Sequence, residues 1–131
     1  MRNSAPVLFA WSFALTLALS SVAELAAAAE SGQVAFNNRC RTCHSVREGD
    51  NRLGPSLHSI FGAKAGSSSG FGAYSQALRN SGVVWSEDTL GEFITNPDAL
   101  IPGNNMKPYS GVTDEAERKQ IVDYLKSLRP D

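Results

Sequence analysis

Cysteine, histidine and methionine are scarce in this sequence, with two of each, and each scarcity excludes something. Cys40 and Cys43 are the only cysteines and His44 and His58 the only histidines. A four-ligand zinc site would need all of them, and the spacing of the histidines fits no usual structural site. No charge of one sign dominates: 12 basic and 13 acidic side chains give a formal net charge of −1. Nothing in that balance marks a nucleic-acid binder. No apolar run reaches the ~20 residues that a membrane-spanning helix needs. Repeats are absent, and the Ser-Gly stretch at 66–72 reads as a surface loop.

The longest apolar run, Pro6 to Leu19, follows the positive charge of Arg2 and precedes the small residues Ala27-Ala28-Ala29. This order is that of a secretory signal, so residues 1–29 are expected to be cleaved near Glu30. The alternative, an uncleaved anchor, lacks a basic stop-transfer flank. Removing Arg2 and Glu24 with the signal leaves the charge balance unchanged. Residues 30–131 suffice for one small domain. A domain of that size gains little core of its own and often depends on a staple.

One short stretch supplies a candidate. Cys40-Arg41-Thr42-Cys43-His44 has two cysteines three apart and a histidine directly after the second, the pattern of a c-type haem attachment site. Each thiol can add across one haem vinyl group, and one helical turn reaches both. His44 then stands where a ring nitrogen can meet iron. Three other readings compete: a disulfide or thioredoxin-like dithiol, half of a zinc site, and coincidence. No βαβ pattern surrounds the cysteines to support the dithiol.

Around this stretch the sequence reads as helices separated by long loops. Ser31 can cap a first helix running through Gly32, Val34, Ala35 and Phe36 towards Cys40. Gly32 and Phe36 share a face on which bare glycine would admit another helix closely. Gly54-Pro55 reads as a turn. The Pro55 carbonyl is also free to accept the Nδ1–H of His44 and leave the other nitrogen for a metal. Residues 58–84 read as loop with a short helix at Ser75–Asn80. Ser86 caps a helix with acidic Glu87 and Asp88 in its first turn, ended by Asn96-Pro97. A last helix starts near Thr113-Asp114, with Asp114 and Glu117 as a capping box, and stops at Arg129-Pro130.

Tyr74 and Trp85 are by default core residues with a satisfied polar tip, and beside a haem that tip can meet a propionate. Met106 is the one methionine beyond the leader, in the loop Ile101-Pro102-Gly103-Asn104-Asn105. Methionine is usually a core filler. Here no helical face requires it, and a thioether pairs with histidine on electron-transfer haems.

Taken as an ordered set, these residues resemble a class I cytochrome c, similar in pattern to the mitochondrial proteins and their soluble bacterial relatives. The set comprises Gly32-x-x-x-Phe36, Cys40-x-x-Cys43-His44, Gly54-Pro55-x-Leu57, His58, Phe61-Gly62, Tyr74, Trp85, Asn96-Pro97, Pro102-Gly103-x-x-Met106 and Tyr124-Leu125. It spans Gly32 to Leu128. The resemblance implies an all-α fold of a few helices and long loops wrapped round one covalently attached haem c, with the N- and C-terminal helices crossing near Gly32, Phe36, Ile121 and Tyr124. It implies thioethers at Cys40 and Cys43, His44 and Met106 on iron, the Pro55 carbonyl on His44, and Tyr74 and Trp85 at the propionates.

Several positions depart from that pattern. Ala63, followed by Lys64, stands where many relatives have a propionate-binding arginine. Phe93 replaces a tyrosine near the methionine sulfur, Leu78 replaces an asparagine that orders an internal water, and Asn104-Asn105 replace the usual threonine and lysine. The implied function is a soluble periplasmic one-electron carrier, a monomer with no substrate chemistry. Its partners would be membrane or periplasmic redox proteins, a donor and a terminal acceptor such as an oxidase or reductase. A haem enzyme or gas-binding sensor is the alternative, and it needs an open or labile distal iron site. Arg39, Arg41, Arg47, Arg52 and Lys64 are solvated charges by default and could form a mildly basic rim at the haem edge.

Overall fold

The computed structural model describes residues 12–129. The first part of the expected signal, with Arg2 and the start of the apolar run, lies outside them. Five helices follow in order: α1 (Ser12–Arg39), α2 (Gln76–Asn80), α3 (Glu87–Thr95), α4 (Pro97–Leu100) and α5 (Glu115–Ser127). Among the described residues there is no strand. One isolated antiparallel bridge pairs Lys64 with Val84. No described helix is long and apolar enough to cross a membrane. The chain has the all-α fold expected above, a few helices with long loops between them.

α1 begins earlier than expected. Ser31 does not cap it, because the helix runs unbroken from the leader into the domain, and the Ser31 hydroxyl donates to the Ala28 carbonyl at 2.8 Å. The physical reason is local. Ala26 to Ala29 are strong helix formers that carry the helix through Ser31 and Gly32, and a mid-helix serine turns its hydroxyl back onto the preceding turn. The other starts follow their caps. Ser75 accepts from the Leu78 N–H, and Ser86 and Thr89 cap each other reciprocally. Asn96 ends α3 and caps α4. In α5 only half of the expected capping box forms. Asp114 Oδ1 accepts the Glu117 N–H at 2.7 Å, but the Glu117 carboxylate is drawn away to Arg39.

That Arg39–Glu117 contact is bidentate, 2.8 Å at each oxygen, and ties the end of α1 to the start of α5. The two helices cross where Gly32 removes a side chain. A Cβ at Gly32 would lie 2.6 Å from the Gln120 carbonyl oxygen and 2.8 Å from Tyr124 Cβ. Phe36 packs beside it, its ring 5.7 Å from that of Tyr124. Ile121 is completely buried. Leu90, Phe93 and Ile94 face the same core from α3, as their spacing requires. The Ile94 carbonyl, an orphan at the end of α3, accepts both the Val112 N–H (2.9 Å) and the Tyr109 hydroxyl (2.8 Å). The segment after Met106 is thereby sewn to α3.

The α1–α5 crossing generates a direct prediction. Gly32→Val should lower the stability of the mature protein by about 2 kcal/mol, because the neighbouring atoms are backbone and Cβ and have little room to yield. Denaturant unfolding measures this. An unchanged midpoint would mean that the crossing tolerates a side chain.

Candidate functional site

α1 stops at Arg39, but one more turn follows it. The Cys40 N–H bonds the Phe36 carbonyl (2.8 Å), and the Cys43 and His44 N–H groups both return to the Cys40 carbonyl, at 3.1 and 2.9 Å. This turn presents Cys40, Cys43 and His44 together. Cys40 is buried and Cys43 half-buried. Burial pushes the Cys40 thiol up to about 12, with the Glu117 charge adding to the effect. Among the described residues no group of three or more His, Cys, Asp or Glu side chains could hold a metal ion.

His44 is buried, and its Nδ1 lies 2.8 Å from the Pro55 carbonyl oxygen. Burial holds its pKa below the ordinary imidazole value, and the Pro55 carbonyl opposes that effect without overcoming it. The ring is therefore neutral at pH 7, with Nδ1–H donated to Pro55 and a lone pair on Nε2. Among the described residues no hydrogen bond uses Nε2, and the atom is not sealed from access. Gly54 presses on the other side of this arrangement. A Cβ there would collide with Cε1 and lie 2.7 Å from Nδ1.

The loop that delivers Pro55 is built from small polar residues. The Gly54 N–H donates to the Cys43 carbonyl and the Leu57 N–H to the Ser45 carbonyl, both at 2.7 Å. The Ser56 N–H donates to Asn51 Oδ1 (2.9 Å) and its hydroxyl to the Arg47 carbonyl. Ser45, Asn51 and Ser56 were not among the expected site residues. Their only signal in the sequence is polar composition beside a Gly-Pro turn, which many ordinary loops share.

Trp85 is held by a short ladder across the Lys64–Val84 bridge. Its N–H donates to the Ala63 carbonyl (2.9 Å) and its own carbonyl accepts the Gly62 N–H (2.9 Å). The residue is buried against Phe93, ring centroids 5.0 Å apart, yet its indole N–H has no hydrogen-bond partner among the described residues and is not sealed. Ala63 and Ala65 alternate with Lys64, which is exposed. Lys64 thus points away from the Ala63 side and does not take the place of the missing arginine. Tyr74 is half-buried, with Phe71 edge-on at 4.9 Å and the Arg79 guanidinium 5.8 Å above its ring. Burial raises its pKa, and Ser68 nearby acts in the opposite direction.

Met106 is half-buried against the core cluster that includes Cys40, Trp85 and Phe93. Among the described residues its sulfur accepts no hydrogen bond. Leu78 is buried in the same cluster, so the site of the expected polar asparagine is apolar. His58 is half-buried with Nδ1 3.1 Å from Ser59 Oγ, and no hydrogen bond joins it to the other site residues.

A haem fits this donor set on observations of the chain itself. A neutral imidazole has one nitrogen fixed by a carbonyl and the other uncommitted. The Trp85 indole N–H has no partner among the described residues and is open to one, two cysteines stand one turn apart, and an apolar cluster backs a thioether.

Comparison with known proteins agrees. The family model for cytochrome c matches residues 29–129. The chain is 40% identical over 121 residues to cytochrome c2 of Blastochloris viridis, covering 91% of this chain and 93% of that protein. It is 41% identical over 90 residues to cytochrome c2 iso-2 of Magnetospirillum molischianum (69% and 91% covered). It is 36% identical over 101 residues to cytochrome c of Euglena viridis (77% and 97%).

The packing of Gly54 on the imidazole carries its own test. Gly54→Ala should lower the unfolding midpoint by the equivalent of about 2 kcal/mol, since the added methyl displaces either His44 or the Pro55 peptide. Thermal unfolding of the haem-loaded variant reads this out, and wild-type stability would show that the ring has slack.

Proposed function

The chain belongs to the cytochrome c family, and from that premise we propose a soluble periplasmic one-electron shuttle whose haem iron is held by His44 and Met106. Membership brings with it one covalently attached haem c and electron transport between redox proteins. The single observation that supports the ligation most strongly is the placement of His44: buried, and bound through Nδ1 to the Pro55 carbonyl so that Nε2 alone is available. When bound, the haem supplies the Fe(III)/Fe(II) couple. Cys40 and Cys43 would tether it, and His44 and Met106 would supply the ligands to its iron. Tyr74 and Trp85 offer hydrogen-bond donors to its propionates. Closed ligation suits electron transfer, since no face of the iron is left for a substrate.

Export is supported by the leader. The match to the Blastochloris protein covers 91% of the chain, more than the part from residue 29 onward, so it takes in part of the leader as well. Expression in an export-competent bacterium should yield a red periplasmic protein that begins near Glu30, carries the mass of one haem and titrates with a single electron. Recovery of the full-length chain in the membrane fraction would contradict export.

The basic rim is thinner than the sequence suggests. Arg39 is committed to Glu117, and Arg52 to Asp50 at 3.2 Å. Among the described residues Arg41, Arg47 and Lys64 have no carboxylate at ion-pair distance. Association with an acidic redox partner should still slow as ionic strength rises, with the shallow slope of about three charges. A rate independent of salt would remove this rim from the docking surface.

Phe93 bears on the potential. A donor placed near the thioether withdraws electron density from sulfur and disfavours the ferric state. Phe93→Tyr should therefore raise the reduction potential by tens of millivolts, roughly the ~1 kcal/mol of one ordinary hydrogen bond. An unshifted potential would count against Met106 near Phe93 on iron.

A further inference from the structure

The residues on either side of Met106 are pinned more firmly than packing requires. Asn104 is polar yet only 4% exposed. Both hydrogens of its Nδ2 are used, one donated to Asp98 Oδ1 at 2.9 Å and the other to the Ile101 carbonyl at 3.0 Å. Its Oδ1 accepts the Met106 N–H at 3.0 Å. The opposite amide orientation would set oxygen against a carboxylate and a carbonyl, so chemistry fixes the one seen. The second oxygen of Asp98 accepts from Lys107 Nζ at 2.6 Å. One carboxylate thus joins the residue two before the methionine to the residue directly after it. On a separate side, Asn105 Nδ2 donates to the Ala73 carbonyl (2.6 Å) and its Oδ1 accepts the Ser75 N–H (3.1 Å).

These contacts do not weigh equally. The Lys107 and Asp98 side chains are 57% and 55% exposed, and such pairs contribute little alone. The Asn104 amide is shielded from water, has every hydrogen satisfied, and bonds a charged acceptor. Removing it would leave the Met106 N–H and the Ile101 carbonyl without these partners.

We propose that Asn104, anchored by Asp98, is a positioning residue for Met106 that keeps the methionine on the iron and external ligands off it. The inference rests on Met106 being an axial ligand. Asn104 itself touches neither the iron nor a partner; it acts through the backbone of the loop.

The test is equilibrium titration of the ferric haem-loaded protein with imidazole, which competes with methionine for iron. Wild type, Asn104→Ala, Asp98→Ala and Lys126→Ala are compared. The last removes an equally exposed pair, Lys126–Glu87, elsewhere on the surface. Asn104→Ala should bind imidazole about tenfold more tightly than wild type, the effect of about one charge-assisted hydrogen bond. Asp98→Ala should show a smaller increase in the same direction, and Lys126→Ala none. Because Asp98 is exposed, its variant decides the matter if Asn104→Ala does not fold. Wild-type affinity in both loop variants, with the far-red ferric methionine band intact, overturns the clamp alone. An equal increase in Lys126→Ala also overturns it, because general loosening would then explain the effect. Absence of the far-red band from wild type overturns the ligation on which the inference rests.

Discussion

The His44 Nδ1–H donates to the Pro55 carbonyl at 2.8 Å, and keeping that bond makes demands on both sides of it. On one side α1 must end one turn before the histidine, so that the Cys40 carbonyl can collect two N–H groups and aim the ring inward. On the other, the chain must return after a loop with a carbonyl that no neighbouring amide claims. Pro55 supplies that carbonyl, and glycine before it lets the backbone lie against the imidazole. The buried serines and Asn51 then satisfy the polar backbone that such a tight return would otherwise strand. What results is a histidine with one nitrogen spent and one available.

The rest of the fold can be understood as a frame for two segments, the one bearing His44 and the one bearing Met106. α1 and α5 cross at Gly32 and are locked by Arg39–Glu117, which fixes the turn bearing Cys40, Cys43 and His44. α3 presents Phe93 to Trp85, and its last free carbonyl holds the segment that follows Met106. The segment bearing His44 is thus secured by helix packing. The segment bearing Met106 is secured by loops, and loops need polar staples because they bury too little apolar surface to hold themselves. Asn104, Asn105 and Asp98 provide them.

Much of this was legible in the sequence because it depends on residue types with few alternatives. Only glycine permits the α1–α5 approach, only a histidine beside two cysteines suits the attachment turn, and the caps Ser86 and Asp114 stand where helices begin. The start of α1 was not legible, since Ser31 has the side chain of a cap and only the alanine run before it decides otherwise. Glu117 likewise has the right spacing for a capping box, but its partner Arg39 is distant in sequence. The asparagines before Met106 could be seen as a departure from the family pattern. Their role depends on Asp98, Ala73 and Ser75, which come together only in three dimensions.

The central claim is that both faces of the haem iron are closed by this chain's own side chains, and exposure of the reduced protein to carbon monoxide tests it most directly. If His44 and Met106 hold the iron, the ferrous visible spectrum remains unchanged after carbon monoxide is added near neutral pH. Rapid formation of a carbon monoxide adduct in the wild-type protein would mean that Met106 is not on the iron and that the molecule has the open site of an enzyme or a gas sensor.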